Sequence, residues 1–316
     1  MKKKKNFIPI LIGIAILMVV LTVSAMIKVN LTNKEYVNKL YKTAVFDKHV
    51  NKERWYQQYK NTVILTNAKM NKVAKQANKH AFIQQNKPLL KSHVLNSKPK
   101  QKELYGYDAL ILPNFSNDKS QGKARFNKYI YKSRKIIYRA ASKKSGLIID
   151  LRNNLGGSSE AMILAISPFE QNNKALLYEQ INGINHSIEL SAKKSNKGTT
   201  LFYKANANNL TVKDDFHSVT VLKDKKLMKT KIAVLINNNT ASAAEYVLLA
   251  LKGNKNVKVF GAPTAGYTSS NTNYKKMTYP AGWLVDANKQ KIYRNDPIQP
   301  DVNGVNKKNI KKWLNN

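Results

Sequence analysis

The 316-residue chain contains no cysteine. That excludes a disulfide framework, a thiolate zinc site, a cysteine nucleophile and a lipid-modified cysteine anchor. Only five histidines are present, so metal ligation has few imidazoles to draw on. Acidic residues are scarce too: 18 Asp and Glu stand against 55 Lys and Arg, a formal net charge of +37. Long apolar runs are limited to one, Phe7 to Ile27, which excludes a polytopic membrane protein. A disordered chain is excluded as well, since 42% hydrophobic residues at this length can bury a core.

That single run sets the compartment. Residues 1–6 carry the cluster Lys2 to Lys5, and residues 7–27 follow without a charge. At about 1.5 Å per residue the run spans roughly 31 Å, enough to cross a bilayer core. Positive charge before the run puts a short basic tail in the cytoplasm and the rest of the chain outside. The alternative is a cleaved signal peptide, with Val23-Ser24-Ala25 as the small residues of the cleavage site and a secreted product. Either way the working part lies outside the cytoplasm, as in a bacterial cell-surface protein. The lysines are spread along the chain with only six arginines, so nucleic acid is not an expected partner. Anionic cell-envelope polymers or anionic lipid suit that charge better.

Residues 28–103 read as a polar helical region and linker. Tyr36, Leu40 and Ala44 fall at helical spacing, as do Trp55 and Tyr59, then Met70, Val73, Ala74 and Ala77. Thr66 or Asn67 is the expected cap of the last helix, and Pro88 and Pro99 frame the linker. Residues 104–316 read as an α/β core. Leu147 to Leu151 and Ile232 to Ile236 are continuous apolar strands, each followed by a polar turn and a helix. Residues 174–230 alternate like antiparallel strands.

Two segments carry candidate chemistry. In Asn237-Asn238-Asn239-Thr240-Ala241-Ser242-Ala243-Ala244-Glu245 a buried strand delivers a serine to the start of a small-residue helix. Unpaired N–H groups and the positive dipole end favour an alkoxide or oxyanion there. The simpler role for Thr240 or Ser242 is a helix cap. In Asp150-Leu151-Arg152-Asn153-Asn154-Leu155-Gly156-Gly157 a strand ends in a double glycine before a helix, which lets backbone amides face a ligand. Asp150 and Arg152 are equally suited to shaping that turn.

Taken with Phe260-Gly261-Ala262-Pro263-Thr264-Ala265-Gly266 and Asp296-Pro297-Ile298-Gln299-Pro300-Asp301, these segments resemble the serine peptidases of the carboxy-terminal processing and tricorn type. The likeness covers roughly residues 104 to 302. It implies a crotonase/ClpP-like ββα superhelix core and hydrolysis of peptide bonds in a peptide or protein substrate. Carried over, Ser242 falls on the nucleophile, and Gly156 or Gly157 with Ala243 on the oxyanion hole. The lysine base of the processing branch would lie 25 residues past the serine, where this chain has Tyr267, whose ordinary pKa near 10 makes it a poor base. The tricorn-like branch has instead a histidine closing the helical region. His80 stands at that place, with His93 as second choice.

Asp296, Asp301 and Glu245 are the candidate orienting acids for that imidazole. Only 24 residues separate His80 from Tyr105, too few for the peptide-gripping PDZ domain of the processing branch. Substrate contact is therefore expected from the core itself, at Tyr267, Thr268 and the strand edges beyond them. The expected activity is a membrane-anchored extracytoplasmic serine peptidase using Ser242 and His80, with no metal or organic cofactor, since acyl-enzyme chemistry needs only a nucleophile, a base and oxyanion donors. The alternative is a catalytically inactive protein of the same fold that binds peptides or envelope polymer.

Overall fold

The computed structural model describes residues 8–62, 66–83, 98–116, 122–143, 146–206, 217–222 and 224–315. His93, the Lys2–Lys5 cluster and most of the expected linker lie outside them. The chain forms two compact units, Met1–Lys87 with Asn271–Ala281, and Pro88–Ser270 with Gly282–Asn316.

The first unit begins with helix α1 (Ile8–Thr43). The apolar run does not end it at Ile27, because the next sixteen residues contain neither Gly nor Pro and keep an inward face. From Ile14 to Ile27 it is apolar and exposed, and Ile14–Thr43 is long and apolar enough to cross a membrane. Its second half turns Tyr36, Val37 and Leu40 into a core shared with Trp55, Met70, Ala74 and Ile83. Two short helices complete that core. Asn51 caps α2 (Lys52–Tyr59) by accepting from the Arg54 N–H at 2.8 Å. Thr66 caps α3 (Asn67–Ala77) by accepting from the Lys69 N–H at 3.1 Å. The Trp55 indole N–H donates to the Val73 carbonyl at 3.2 Å, so the ring is buried without an orphaned donor. Strand β1 (Phe82–Ile83) pairs antiparallel with Thr278 and Met277 of the late segment, which adds Met277 and Tyr279 to the core.

The second unit is built on a six-stranded sheet. A hairpin of β2 (Lys100–Leu104) and β3 (Tyr107–Ile111) leads through α4 (Gly122–Ser142) to β4 (Leu147–Asp150). Then come α5 (Ser159–Ile166) and a short 3-10 turn through Pro168. Four antiparallel strands follow: β5 (Ala175–Ile181), β6 (Ile184–Ser195), β7 (Gly198–Ala205) and β8 (Ser218–Val221). The chain returns to the first sheet with β9 (Ile232–Ile236), α6 (Ala243–Lys252) and β10 (Val257–Gly261). It continues through β11 (Ser269–Tyr274), β12 (Met277–Val285), β13 (Ile292–Tyr293), β14 (Val302–Asn303) and α7 (Lys307–Asn315).

Strands β3, β4, β9, β10 and β14 run parallel in that spatial order. Parallel strands buried on both faces need uninterrupted apolar sequence, and Leu147-Ile148-Ile149 and Ile232-Ala233-Val234-Leu235-Ile236 supply it. One face packs on α4, α5, α6 and the antiparallel strands through Phe126, Ile137, Ile149, Val234 and Leu248. The other packs on α7 through Ala109, Ile148, Leu235, Phe260, Ile310 and Leu314.

Phe260 is fully buried in that second layer, whereas Leu222 is 89% exposed. Phe260→Ala is expected to lower stability by about 3–5 kcal/mol, and Leu222→Ala by less than about 0.5 kcal/mol. Urea unfolding of the full chain in detergent checks both.

Candidate active site

Registers place Ile149 beside Val234 and Asp150 beside Leu235, so β4 and β9 end side by side. The loops leaving their carboxyl ends, 151–157 and 237–242, are therefore neighbours. Asparagines stitch them together. Asn153 N–H donates to Asn237 Oδ1 at 3.0 Å, and Asn237 Nδ2 and Asn239 Nδ2 donate back to Asn153 Oδ1 at 2.9 and 3.0 Å. Thr240 Oγ1 donates to the Leu151 carbonyl at 3.0 Å, which ties the second loop to the end of β4 and leaves this residue no role as a helix cap. Asp150 and Arg152 do shape their turn, with Arg152 Nε and Nη2 donating to the carboxylate at 2.9 and 2.7 Å.

Ser242 sits between β9 and α6. It is not inside the first helical turn, as its sequence suggests, but immediately before it, at φ 55° and ψ −121°. This left-handed conformation costs a non-glycine residue of order 1–3 kcal/mol, so the surroundings must impose it. Three contacts do so. Ala241 N–H donates to the Asn154 carbonyl at 2.9 Å. Ser242 N–H donates to Glu245 Oε2 at 2.8 Å. Gly156, at φ +98°, presses against the turn where a side chain would not fit: a Cβ there would lie 2.7 Å from Ser242 Cβ and 2.8 Å from the Ala241 carbonyl oxygen.

Glu245 is fully buried, and its carboxylate is a hub. Besides Ser242 N–H it accepts from Gly266 N–H at 2.9 Å, from Tyr267 N–H at 2.8 Å and from the Thr264 hydroxyl. Burial raises its pKa from the ordinary value, and these donors oppose the shift. The carboxylate thus fixes the serine turn and the loop after β10 to each other. Both its oxygens are engaged from within the site, so it is no free orienting acid for an imidazole.

The other expected residues divide. The N–H groups of Gly157 and Ala243 have no acceptor among the described residues, whereas Gly156 N–H donates to Asn154 Oδ1 at 2.9 Å. Gly156 therefore supplies room and not a donor. Asp301 pairs with Lys252 at 2.6 Å and accepts from Val259 N–H at 2.8 Å, which commits it to the edge of β10. Asp296 is half-buried beside the loop that Glu245 holds, and its carbonyl accepts from Thr268 Oγ1 at 3.4 Å. Thr268 is fully buried, so its side chain offers nothing to a substrate, while Tyr267 is half-buried.

His80 belongs to the first unit, in the turn after α3. Its N–H donates to Asn78 Oδ1 at 2.9 Å, and Lys79 N–H donates to Asp47 Oδ2 at 2.9 Å. Burial, with the Lys79 charge adding to it, pushes the imidazole pKa down to about 4.

Two positioning residues, Asn154 and Thr264, lie inside the motif segments, but nothing in the motifs marks their role. A signal for the Glu245 hub was present, however: Ser242-Ala243-Ala244-Glu245 has the spacing at which a residue three positions on accepts from the backbone N–H at the helix start. Gly156→Ala is expected to cost about 2–4 kcal/mol, because the methyl group can enter only by displacing the serine turn. Thermal unfolding beside the parent chain measures it.

Comparison with known proteins places this geometry. Residues 109–308 match the model of Peptidase family S41. The chain is 29% identical over 242 residues to a nisin-resistance protein of Lactococcus lactis subsp. lactis, covering 75% of this chain and 69% of that one. Among solved structures it resembles a lipoprotein from Streptococcus agalactiae with a TM-score of 0.63 at 20% identity, covering 90% and 96% of the two chains.

Proposed function

The chain belongs to peptidase family S41, and from that premise we propose that it is an active serine peptidase, held in the membrane by α1 and working outside the cytoplasm. The observation that carries the reading is the strained turn of Ser242, held between Gly156 and the Glu245 carboxylate at the amino end of α6. A residue kept in a costly conformation by this much surrounding structure is better explained by chemistry than by capping.

In this reading Ser242 Oγ attacks the scissile carbonyl carbon while His80 accepts its proton. The carbonyl oxygen, now an oxyanion, accepts from the N–H groups of Gly157 and Ala243, and the dipole of α6 adds to their field. His80 then returns the proton to the leaving amine, and water releases the acyl group by the same route in reverse. Asp296 is the one remaining candidate to orient the imidazole. Tyr267 lines the substrate path. The substrate is an extracytoplasmic peptide, and nisin belongs among those tested because a relative is named for resistance to it.

The test uses the full chain in detergent, with nisin and an unfolded protein as substrates and a fluorophosphonate as active-site label. Mass spectrometry is expected to find cleavage and a label on Ser242. Ser242→Ala should lose both, and His80→Ala should lower kcat/KM by about 10³-fold or more. A parent chain that neither cleaves nor takes the label at Ser242 would instead be the inactive, peptide-binding member of the fold.

The low pKa of His80 gives a second prediction. A general base works when neutral, and a group titrating at about 4 stays neutral well below the ordinary histidine range. The acid limb of kcat/KM is therefore expected below pH 5 and not near 6.5. Stability moves the same way: the unfolded chain takes up a proton near pH 6.5 that the folded chain refuses until about 4, so stability falls as pH drops through that window. A rate profile between pH 4 and 8 checks the first statement, and melting temperatures over the same range check the second.

A further inference from the structure

At the opposite end of α6 from Ser242 the second unit contains a cavity of about 460 Å³. Its walls come from Glu170 and the Lys174–Leu176 stretch after it, from Met228 and Lys229, from Ala250 near the end of α6 and the Gly253–Asn256 segment that follows, and from the Ala287–Asn288 turn. At about 1.5 Å per residue, ten residues of helix put it roughly 15 Å from the serine, too far to be part of the same site.

Its floor contains an anomaly. Glu170 is 5% exposed, and its Oε1 is buried with no hydrogen-bond partner among the described residues. An orphaned buried oxygen costs about 1–3 kcal/mol or more and calls for a partner. The protein groups nearby are already engaged. Lys226 donates to the Ser167 carbonyl and to Asn172 Oδ1, both at 3.0 Å, and pairs with Asp224 at 3.2 Å. Asn254 Nδ2 donates to the Phe169 carbonyl at 3.3 Å and Asn256 Nδ2 to the Met228 carbonyl at 2.8 Å.

The mouth has the opposite character. Lys174, Lys229 and Lys255 line it, all exposed and none in an ion pair among the described residues. A cation would meet three like charges on entry. The carbonyls at the adjoining helix ends offer it little, since Ser167, Pro168, Phe169 and Leu251 already accept from Lys226, Leu227, Asn254 Nδ2 and Asn254 N–H. An anion would meet three free ammonium groups. The volume falls in the range of small-molecule sites and far exceeds one bare oxyanion, and Leu176, Met228, Ala250 and Ala287 give it an apolar side.

We propose that this cavity is a binding site for a small phosphate ester, with Lys174, Lys229 and Lys255 on the phosphate and the unpartnered Oε1 of Glu170 hydrogen-bonded to the ligand. Burial pushes the Glu170 pKa up to about 8, against the opposing pull of Lys226 and Lys174. Near neutral pH the side chain is therefore the uncharged acid, able to donate its O–H to a phosphate oxygen without charge repulsion. The charged groups acting on it are Lys226, itself paired with Asp224, and Lys174; among the described residues α6 and the Ala287–Asn288 turn bring none against it. The site stands independently of the peptidase reading.

The test is calorimetric titration of the full chain in phosphatidylcholine nanodiscs with glycerol 3-phosphate and, separately, inorganic phosphate, at constant ionic strength. Saturable binding of the ester is expected, tighter than that of inorganic phosphate. Replacing Lys174, Lys229 and Lys255 together by Ala should weaken it at least about tenfold, with an unchanged melting temperature as the check on folding. Between pH 7.5 and 9.5 the parent should lose affinity towards the high end, because Glu170 must keep its proton to donate it. Glu170→Gln carries a permanent donor and should bind without that loss. In phosphatidylglycerol nanodiscs, a weaker apparent affinity for the soluble ester would identify a lipid headgroup as the source of the phosphate, and an unchanged one a soluble ester. Equal binding by the triple lysine variant, the same pH dependence in parent and Glu170→Gln, or no saturable heat would each overturn the proposal.

Discussion

The second unit's site depends on a buried carboxylate in a chain that has few to spare. Glu245 accepts from the backbone of Ser242, Gly266 and Tyr267 and from the Thr264 hydroxyl, joining two segments that β9 and β10 bring together. The left-handed turn at Ser242 costs of order 1–3 kcal/mol. Hydrogen bonds to a charged group contribute about 1.5–3 kcal/mol each, and leaving their donors unpaired would forfeit about 1–3 kcal/mol apiece. One of the four reaches the turn, from the Ser242 N–H, and the other three hold the carboxylate in place to accept it; with the Ala241 bond they offset the strain, and the turn persists. The same balance explains the glycine at 156: the turn is held by contact as well as by hydrogen bonds, and that contact leaves no space for a side chain.

The parallel sheet does the coarser positioning. Strands paired in register deliver their loops to one edge, so residues more than eighty positions apart, such as Asn153 and Asn237, meet without a long search through conformations. Helix α6 then gives the unit two unlike ends. At the first, the Ala243 N–H, without an acceptor among the described residues, adjoins a serine. At the second, the last carbonyls are capped by Asn254 and by the glycine turn after Lys252, and exposed lysines set the potential.

Much of this was legible beforehand, and what was not has a common cause. Strands β4 and β9 were readable because continuous Leu, Ile and Val are what a doubly covered parallel strand requires. Ser242 was readable as a residue delivered to a helix start. The exact start of α6 was not, because Ala241 favours helix by propensity and the tertiary contacts of Ala241 and Gly156 override it. Glu245 and Asp301 look alike in sequence, each an acid near a motif, yet Glu245 is the hub of the site and Asp301 holds Lys252 and β10. Partner identity alone separates them, and those partners lie up to 49 positions away. For the same reason the pairing of Met277 and Thr278 with β1, which gives the first unit part of its core, left no local trace. Thr268 lies in the stretch expected to hold substrate in place of a PDZ domain, and its burial, set by contacts with Leu284 and Asp296, is not visible in that stretch.

The charge imbalance connects these observations. With 18 acids against 55 basic residues, the acids that are buried or paired serve the architecture: Asp150 its own turn, Asp224 the gap between Arg134 and Lys226, Asp301 the edge of β10 and Glu245 the serine loop. Most lysines are left without a carboxylate. Exposed, unpaired cations add little to stability, but their summed field extends about 8–10 Å at physiological salt and is attractive to any polyanion. The first helix is long and apolar enough to cross a membrane, and such a field would act on any anionic surface brought near the chain. A field spread over so many lysines is unselective, and selectivity must come from the few places where an acid or an amide is held in a fixed position. Ser242 with its clamp is one such place, and the floor of the Glu170 cavity is the other.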